Sequence, residues 1–267
     1  MRKVYYISID NLDKKFVGCF GGAIQTKFID ILSEDSFVFN KHFCSSQDPI
    51  MNFFSVVTGK SKPDLDDDCD LISLMTSNFA GVCNVYQKDI KKFNKQYQEI
   101  DLINFIVNPM DIVSTSIQHI KNPDCGFYYC HYSLINEGLD SYDYPQQVIK
   151  MDSIIGKLLA GIEEFDDYDD SYIVMSASSG ETSVPCLFKI PNSTKRTFYN
   201  SPHIMNYVSR DIDILPTVFD MEGEYQRLPV IDGVSVVNNI LGKDQKLTAY
   251  VDAEKAKIFN HKGINVI

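Results

Sequence analysis

The 267-residue sequence has no long apolar run, no Cys-x-x-Cys pair, no basic patch, no internal repeat and no low-complexity linker. Each absence removes a class of protein. The apolar stretch that follows Met1-Arg2-Lys3 ends at Asp10, too short for a signal-peptide core or a membrane helix, so membrane insertion is not expected. Seven cysteines, at 19, 44, 69, 83, 125, 130 and 186, form an odd set without metal or redox spacing. That usage argues against a disulfide framework and for a reducing compartment, which makes the expected location cytoplasmic. Basic residues number 25 against 36 acidic ones, a formal net charge of −11, which repels nucleic acid and anionic lipid. No nucleic-acid partner is expected. With 44% apolar and 23% charged residues and no linker, the composition suits one domain over residues 1–267.

What is present is an alternation of strands and helices. Val4 to Ile9 reads as a buried strand that ends in the polar pair Asp10-Asn11. Further strands are expected at Phe37 to Phe43, Gly81 to Tyr86, Phe127 to Tyr132, Tyr172 to Ser176 and Val184 to Ile190. Helical patterns cover Thr26 to Ser33, Pro49 to Val57, Leu71 to Asn78 and Met110 to Ile120. The clearest helix runs from Pro145 to Glu164, where Val148, Met151, Ile155, Leu158 and Ile162 recur at helical spacing and form one apolar face for a sheet. The expected fold class is therefore α/β with a mostly parallel central sheet flanked by helices on both faces. Such sheets bind ligands at the carboxyl ends of their strands, which directs attention to the loops after Ile9, Phe43 and Ser176.

Two acidic runs, Asp64 to Asp70 and Glu163 to Asp170, read as solvated connections. A calcium loop starting at Asp64 fails, because Cys69 stands where the turn needs glycine and Met75 where a bidentate glutamate is needed. Cys130 and His131 are adjacent on a strand and point to opposite faces, so with Cys125 they do not make a ligand set. Ser45 and Ser46 would need a base to be activated, and the sequence alone does not bring His42 or His131 to them. Ser178 and Ser179 are expected to bond loop backbone. Asp48-Pro49 reads as a helix start, with a carboxylate at the N-cap and proline at the first helical position.

Four segments in order give the chain its resemblance to the sulfatase family of the alkaline phosphatase superfamily. VYYISIDNLDKKFVGCFGG resembles that family's opening strand with its acidic metal pair and the glycine-cysteine stretch beyond it. QTKFIDILSEDSFVFNKHF is similar to its next helix and strand, sharing Thr26, Ile29, Asp30, Leu32, Phe39 and Asn40. CSSQDPIMNFFSVVTGK aligns without a gap to the nucleophile helix. The region from His131 to Ser235 carries Asp152, Ile155-Gly156, Gly180-Glu181, the stretch Asp213 to Thr217 and Asp232-Gly233. The resemblance implies an alkaline phosphatase/sulfatase-like fold across nearly the whole chain.

The same resemblance implies that much of the catalytic centre is replaced. Asp10 matches the first metal carboxylate, but Asn11 stands at the second. Pro49 falls on the nucleophile and Phe53 on the arginine beside it, while Ser178 and Ser179 replace an anionic ligand and an imidazole. His131 matches the first histidine of a motif whose end is here Ile135-Asn136. The implied function is a sulfatase-like protein, a pseudoenzyme, that has lost metal-dependent ester hydrolysis and serves as a binding or structural component for a small molecule or a protein. No cofactor is expected. The alternative is a divergent hydrolase or transferase acting on sulfate or phosphate esters, with Asp10, Asn11, Ser46, Asp48, His131 and Ser178 as its candidate residues. That alternative carries a divalent cation, Ca or Mg, on Asp10 and Asn11.

Overall fold

The run Val4 to Ile9 folds as the first strand, β1 (Val4–Asp10), buried on both faces, as its large apolar and β-branched residues require. The computed structural model describes residues 1–63, 71–75, 79–83, 103–105, 109–133, 144–165, 168–179, 183–201, 203–243, 249–251, 257–260 and 263–266. Seven more strands join β1 in one sheet: β2 (Ser36–Phe43), β3 (Phe79–Cys83), β4 (Ile103–Phe105), β5 (Phe127–Ser133), β6 (Tyr172–Ala177), β7 (Cys186–Lys189) and β8 (Ile204–Arg210). Their order is β4-β3-β5-β1-β6-β7-β2-β8. All neighbours are parallel except β7, which runs antiparallel to both β6 and β2. The carboxyl ends of β1, β2, β5, β6 and β8 therefore share one edge. A small antiparallel sheet, β9 (Ala249–Val251), β10 (Lys257–Asn260) and β11 (Gly263–Val266), comes last.

Helices cover both faces, as expected. On one face α1 (Lys27–Glu34), α4 (Pro109–Ile120) and α5 (Tyr144–Glu164) share a core with Tyr5, Ile7, Ile173 and Met175. On the other α2 (Pro49–Thr58), α3 (Leu71–Met75) and α6 (Ile214–Met221) pack on Val4, Tyr6, Tyr129 and Val174. The face of α5 read from periodicity is the buried one: Val148, Ile155, Leu158 and Ile162 are wholly inaccessible and Met151 nearly so. Asp152 on the same helix accepts the Phe28 and Ile29 amides at 3.0 and 2.9 Å, so it caps α1 from across the interface. Gly156 lets the two helices touch, since a Cβ there would stand 2.4 Å from the Phe28 ring. No described helix is long and apolar enough to cross a membrane.

Some boundaries differ from those expected. The strand sought at Gly81 to Tyr86 begins at Phe79, because Phe79 and Ala80 pair with Phe127 and Tyr128 of β5, and residues 84–86 lie outside the described ones. Leu71 to Met75 is helical and residues 76–78 lie outside the described set. So does the acidic run Asp64 to Asp70. In the second acidic run, Asp169 accepts from the Asn192 amide side chain at 2.8 Å and Asp170 pairs with Arg2 at 2.9 Å, so part of that connection is tied down. The edge strand β8 and the helix α6 were not anticipated as elements, although the sequence of α6 belongs to the family-like stretch Asp213 to Thr217.

Candidate functional site

Along one face of β1 the apolar residues Val4 and Tyr6 give way to Ser8 and Asp10, a change of chemistry at the carboxyl edge of the sheet. In register beside Ser8 stand His131 on β5 and Ser176 on β6. The Ser8 hydroxyl and His131 Nδ1 are 3.1 Å apart, and both residues are buried. Burial lowers the His131 pKa below its ordinary value, while the nearby Asp10 charge works in the opposite direction. Neutral imidazole is thus the favoured form near pH 7.

Beyond β1 the backbone turns sharply. Asn11 has φ of 54°, a left-handed conformation that asparagine tolerates better than other non-glycine residues. The turn is held from two sides. Tyr144, the first residue of α5, donates its hydroxyl to the Asn11 carbonyl at 2.7 Å and accepts the Asp13 amide at 2.9 Å. From β6 the Ser179 hydroxyl lies 2.6 Å from Asp10 Oδ1 and 3.0 Å from Asn11 Oδ1, and takes the Asn11 amide at 3.3 Å. Ser178 adds a longer contact to Asp10 Oδ1 at 3.3 Å. The two serines were expected to bond loop backbone; Ser179 does so through the Asn11 amide, and both also turn their hydroxyls to the Asp10 carboxylate. That difference follows from the register, which sets the end of β6 directly beside the end of β1.

After β2 the chain enters α2 through Cys44 to Asp48. The Ser45 backbone amide meets Asp211 Oδ2 at 2.9 Å, and its hydroxyl also donates to Asp211. Ser46 Oγ accepts the Asp48 amide at 3.0 Å. Asp48 takes the N-cap position: its carbonyl accepts the Asn52 amide at 2.8 Å and its carboxylate a long 3.4 Å bond from the Met51 amide. Pro49 is the first residue of α2. Phe53, one turn on, lies in the core with its ring edge-on to Tyr129, centroids 4.6 Å apart. His42 pairs through its Nδ1 with Ser209 at 2.8 Å, and its buried Nε2 has no hydrogen-bond partner among the described residues.

The structure thus brings Asp10, Asn11, Ser178 and His131 to one edge, with Asp10 bonded to Ser178, while Ser46 and Asp48 serve the start of α2. Ser45, Asp211 and Tyr144 were missed as a set. Their pairings span 166 and 133 positions, so no local spacing announces them. As a cation cage the edge is poor. Asp10 has one oxygen engaged by two hydroxyls, Asn11 is neutral, and among the described residues no three His, Cys, Asp or Glu side chains gather. The one formal negative charge that Asp10 brings among the described residues does not fit a divalent cation, which takes several oxygen ligands and compensating charge.

The architecture and this edge define the class: the chain has the alkaline phosphatase/sulfatase-like α/β fold. Among solved structures it is similar to YidJ of Bacteroides fragilis, provisionally assigned as a sulfatase, with a TM-score of 0.74 and 12% identity over 99% of this chain and 84% of that one. It is also similar to i-CgsB, solved in complex with a neocarrahexaose, with a TM-score of 0.69 and 16% identity over 97% and 82%. A third likeness is to the lipoteichoic acid synthase LtaP of Listeria monocytogenes, with a TM-score of 0.69 and 13% identity over 97% and 80%. No protein-family model and no curated protein sequence matches the chain.

Proposed function

We propose that the chain is a non-hydrolytic binding component on a sulfatase-like fold, and that its carboxyl edge takes a neutral, hydroxyl-rich ligand such as a carbohydrate. The observation that carries this reading is the state of Asp10, whose Oδ1 is engaged by the hydroxyls of Ser178 and Ser179. A carboxylate held in this way accepts hydrogen bonds from ligand hydroxyls and repels an ester oxyanion. The nearby cations are committed elsewhere: Lys14 Nζ to the Asn40 carbonyl at 2.6 Å and Ser183 at 2.7 Å, and Arg210 to Asp213 at 2.8 Å. The sugar bound by i-CgsB supports a carbohydrate as the class. Pro49 and Phe53 support the absence of hydrolysis, since neither offers a nucleophile or a cation to the edge. We also place the chain in the cytoplasm, as one domain without a nucleic-acid partner; the free thiols of Cys19, Cys44, Cys125, Cys130 and Cys186 support a reducing compartment.

The test is a turnover screen with aryl sulfates and aryl phosphates, each with and without Mg²⁺, Ca²⁺, Mn²⁺ and Zn²⁺, beside calorimetric titrations with neutral and sulfated oligosaccharides. The expected result is no turnover above buffer and tighter binding of the neutral sugar. Turnover that disappears in Asp10→Ala overturns the reading and establishes the ester hydrolase or transferase.

A further inference from the structure

Asp211 is the most deeply buried carboxylate of the carboxyl edge, with no solvent exposure. It lies in the turn Asp211–Asp213 between β8 and α6 and reaches across to the loop between β2 and α2. Its Oδ2 accepts the Ser45 amide at 2.9 Å, and its Oδ1 accepts both the Ser45 hydroxyl and the Ile212 amide, the latter at 2.7 Å. Three donors face it, but it has no ion pair among the described residues. The adjacent Arg210 guanidinium is spent on Asp213, at 2.8 and 3.2 Å, and on the Asp232 carbonyl at 2.9 Å. The other titratable groups that face Asp211 are the Tyr6 phenol from β1, the Cys44 thiol from β2 and the Cys186 thiol from β7. Burial pushes all three upward, so they are uncharged at neutral pH. Asp213, on its own turn, is a second carboxylate nearby, and its charge disfavours ionisation of Asp211.

We propose that Asp211 is a proton-operated latch between the β2–α2 loop and the β8–α6 turn. As a carboxylate it accepts the hydrogen bond that the Ser45 hydroxyl donates. Once protonated on Oδ1 it becomes a donor at an oxygen that already meets two hydrogens, so the Ser45 hydroxyl must rotate to accept. The Ser45 proton then points away from Asp211 and is released from that bond. The latch thereby changes Ser45 from a hydroxyl consumed internally into a donor available to a ligand, with no movement of the backbone. Oδ2 keeps the Ser45 amide in both states, so the two segments stay joined.

The working range is mildly acidic. Desolvation raises Asp211 from the ordinary carboxylate value of 3.8 to about 6, against the lowering effect of its Ser45 and Ile212 bonds. Because the folded value lies above the unfolded one, the stabilisation from proton uptake is complete below the unfolded value and is lost as pH rises through about 6. His42 acts in the opposite sense. Burial holds its pKa at about 3, so the fold loses stability as pH falls below the ordinary value of 6.5. A raw stability profile mixes the two groups, and a difference between variants separates them.

Two measurements on the full chain test the latch. Carbon-13 NMR of the side-chain carboxyls should show Asp211 titrating near 6 in the unaltered protein, and higher in Ser45→Ala, where a stabilising hydrogen bond is gone. A midpoint at the ordinary 3.8 overturns the proposal. Asp211→Asn keeps an acceptor for the Ser45 amide but cannot ionise. Its melting temperature minus that of the unaltered protein should grow by several degrees as pH rises through 6. A difference that stays constant with pH overturns it. If Asp211→Asn does not fold, the NMR midpoint decides alone. The ligand reading above stands or falls separately, because neither measurement contains a sugar.

Discussion

Phe53 occupies the position for which the family resemblance implies an arginine, and its ring packs in the core against Tyr129. Just before the first turn, Asp48 turns its carboxylate to the Met51 amide of α2, a donor for which an anionic ligand would otherwise compete. Stability and anion binding draw on one set of N–H groups there, and this chain spends them on itself. Replacing Asp48 by Ala should lower stability by about 0.5 to 2 kcal/mol, the usual worth of an N-cap, with the lower part of that range favoured by the long 3.4 Å bond. Thermal denaturation in sulfate-free buffer measures it. Repeating the melt in sulfate separates the two uses: the unaltered protein should show no added stabilisation from sulfate. Asp10 makes a prediction of its own. Elemental analysis of the purified protein should find well under one equivalent of Ca, Mg, Mn or Zn per chain, since the donor set brings one charge to a doubly charged ion. A stoichiometric metal lost in Asp10→Ala is the contrary outcome.

At the scale of elements, α5 is the part of the fold most plainly written in the sequence. Its apolar residues repeat at helical spacing for 21 residues, long enough for periodicity to outweigh any single side chain. Ile155 is inaccessible at the centre of that face, so Ile155→Ala should cost about 2 to 5 kcal/mol, read as a shift in the denaturation midpoint without a change of slope. β8 was harder to read for an equally physical reason. It lies at the edge of the sheet, and in the sequence Ile204 to Arg210 exposed and buried positions mix, because one side of the strand has no neighbour to impose a pattern. β7 is short and antiparallel, a sense that no local spacing reveals. The site divides along the same line. The positions of Asp10 and Ser178 at strand ends follow from the strand pattern, and Asn11 and His131 were named from the family resemblance, whereas the bond from Ser45 to Asp211 and the clamp by Tyr144 depend on partners brought together only by the completed sheet.

Across the whole molecule the strand order has a consequence for the chain's history as well as for its final shape. β1 is made first, yet its two neighbours in the sheet are β5 and β6, whose residues begin at Phe127 and Tyr172. Neither edge of that strand can be satisfied until more than a hundred further residues have been made. During synthesis at about 5 to 20 residues per second, an apolar strand with both rows of backbone groups open is present for roughly 6 to 25 seconds, a condition that invites pairing with other chains. The pairings that close it are also distant in sequence, which slows their formation once all the residues are available. The carboxyl edge, where Ser179 meets Asn11 across 168 positions, is therefore among the last features to form. A newly made chain has to be kept from its neighbours before it has any site with which to recognise a ligand.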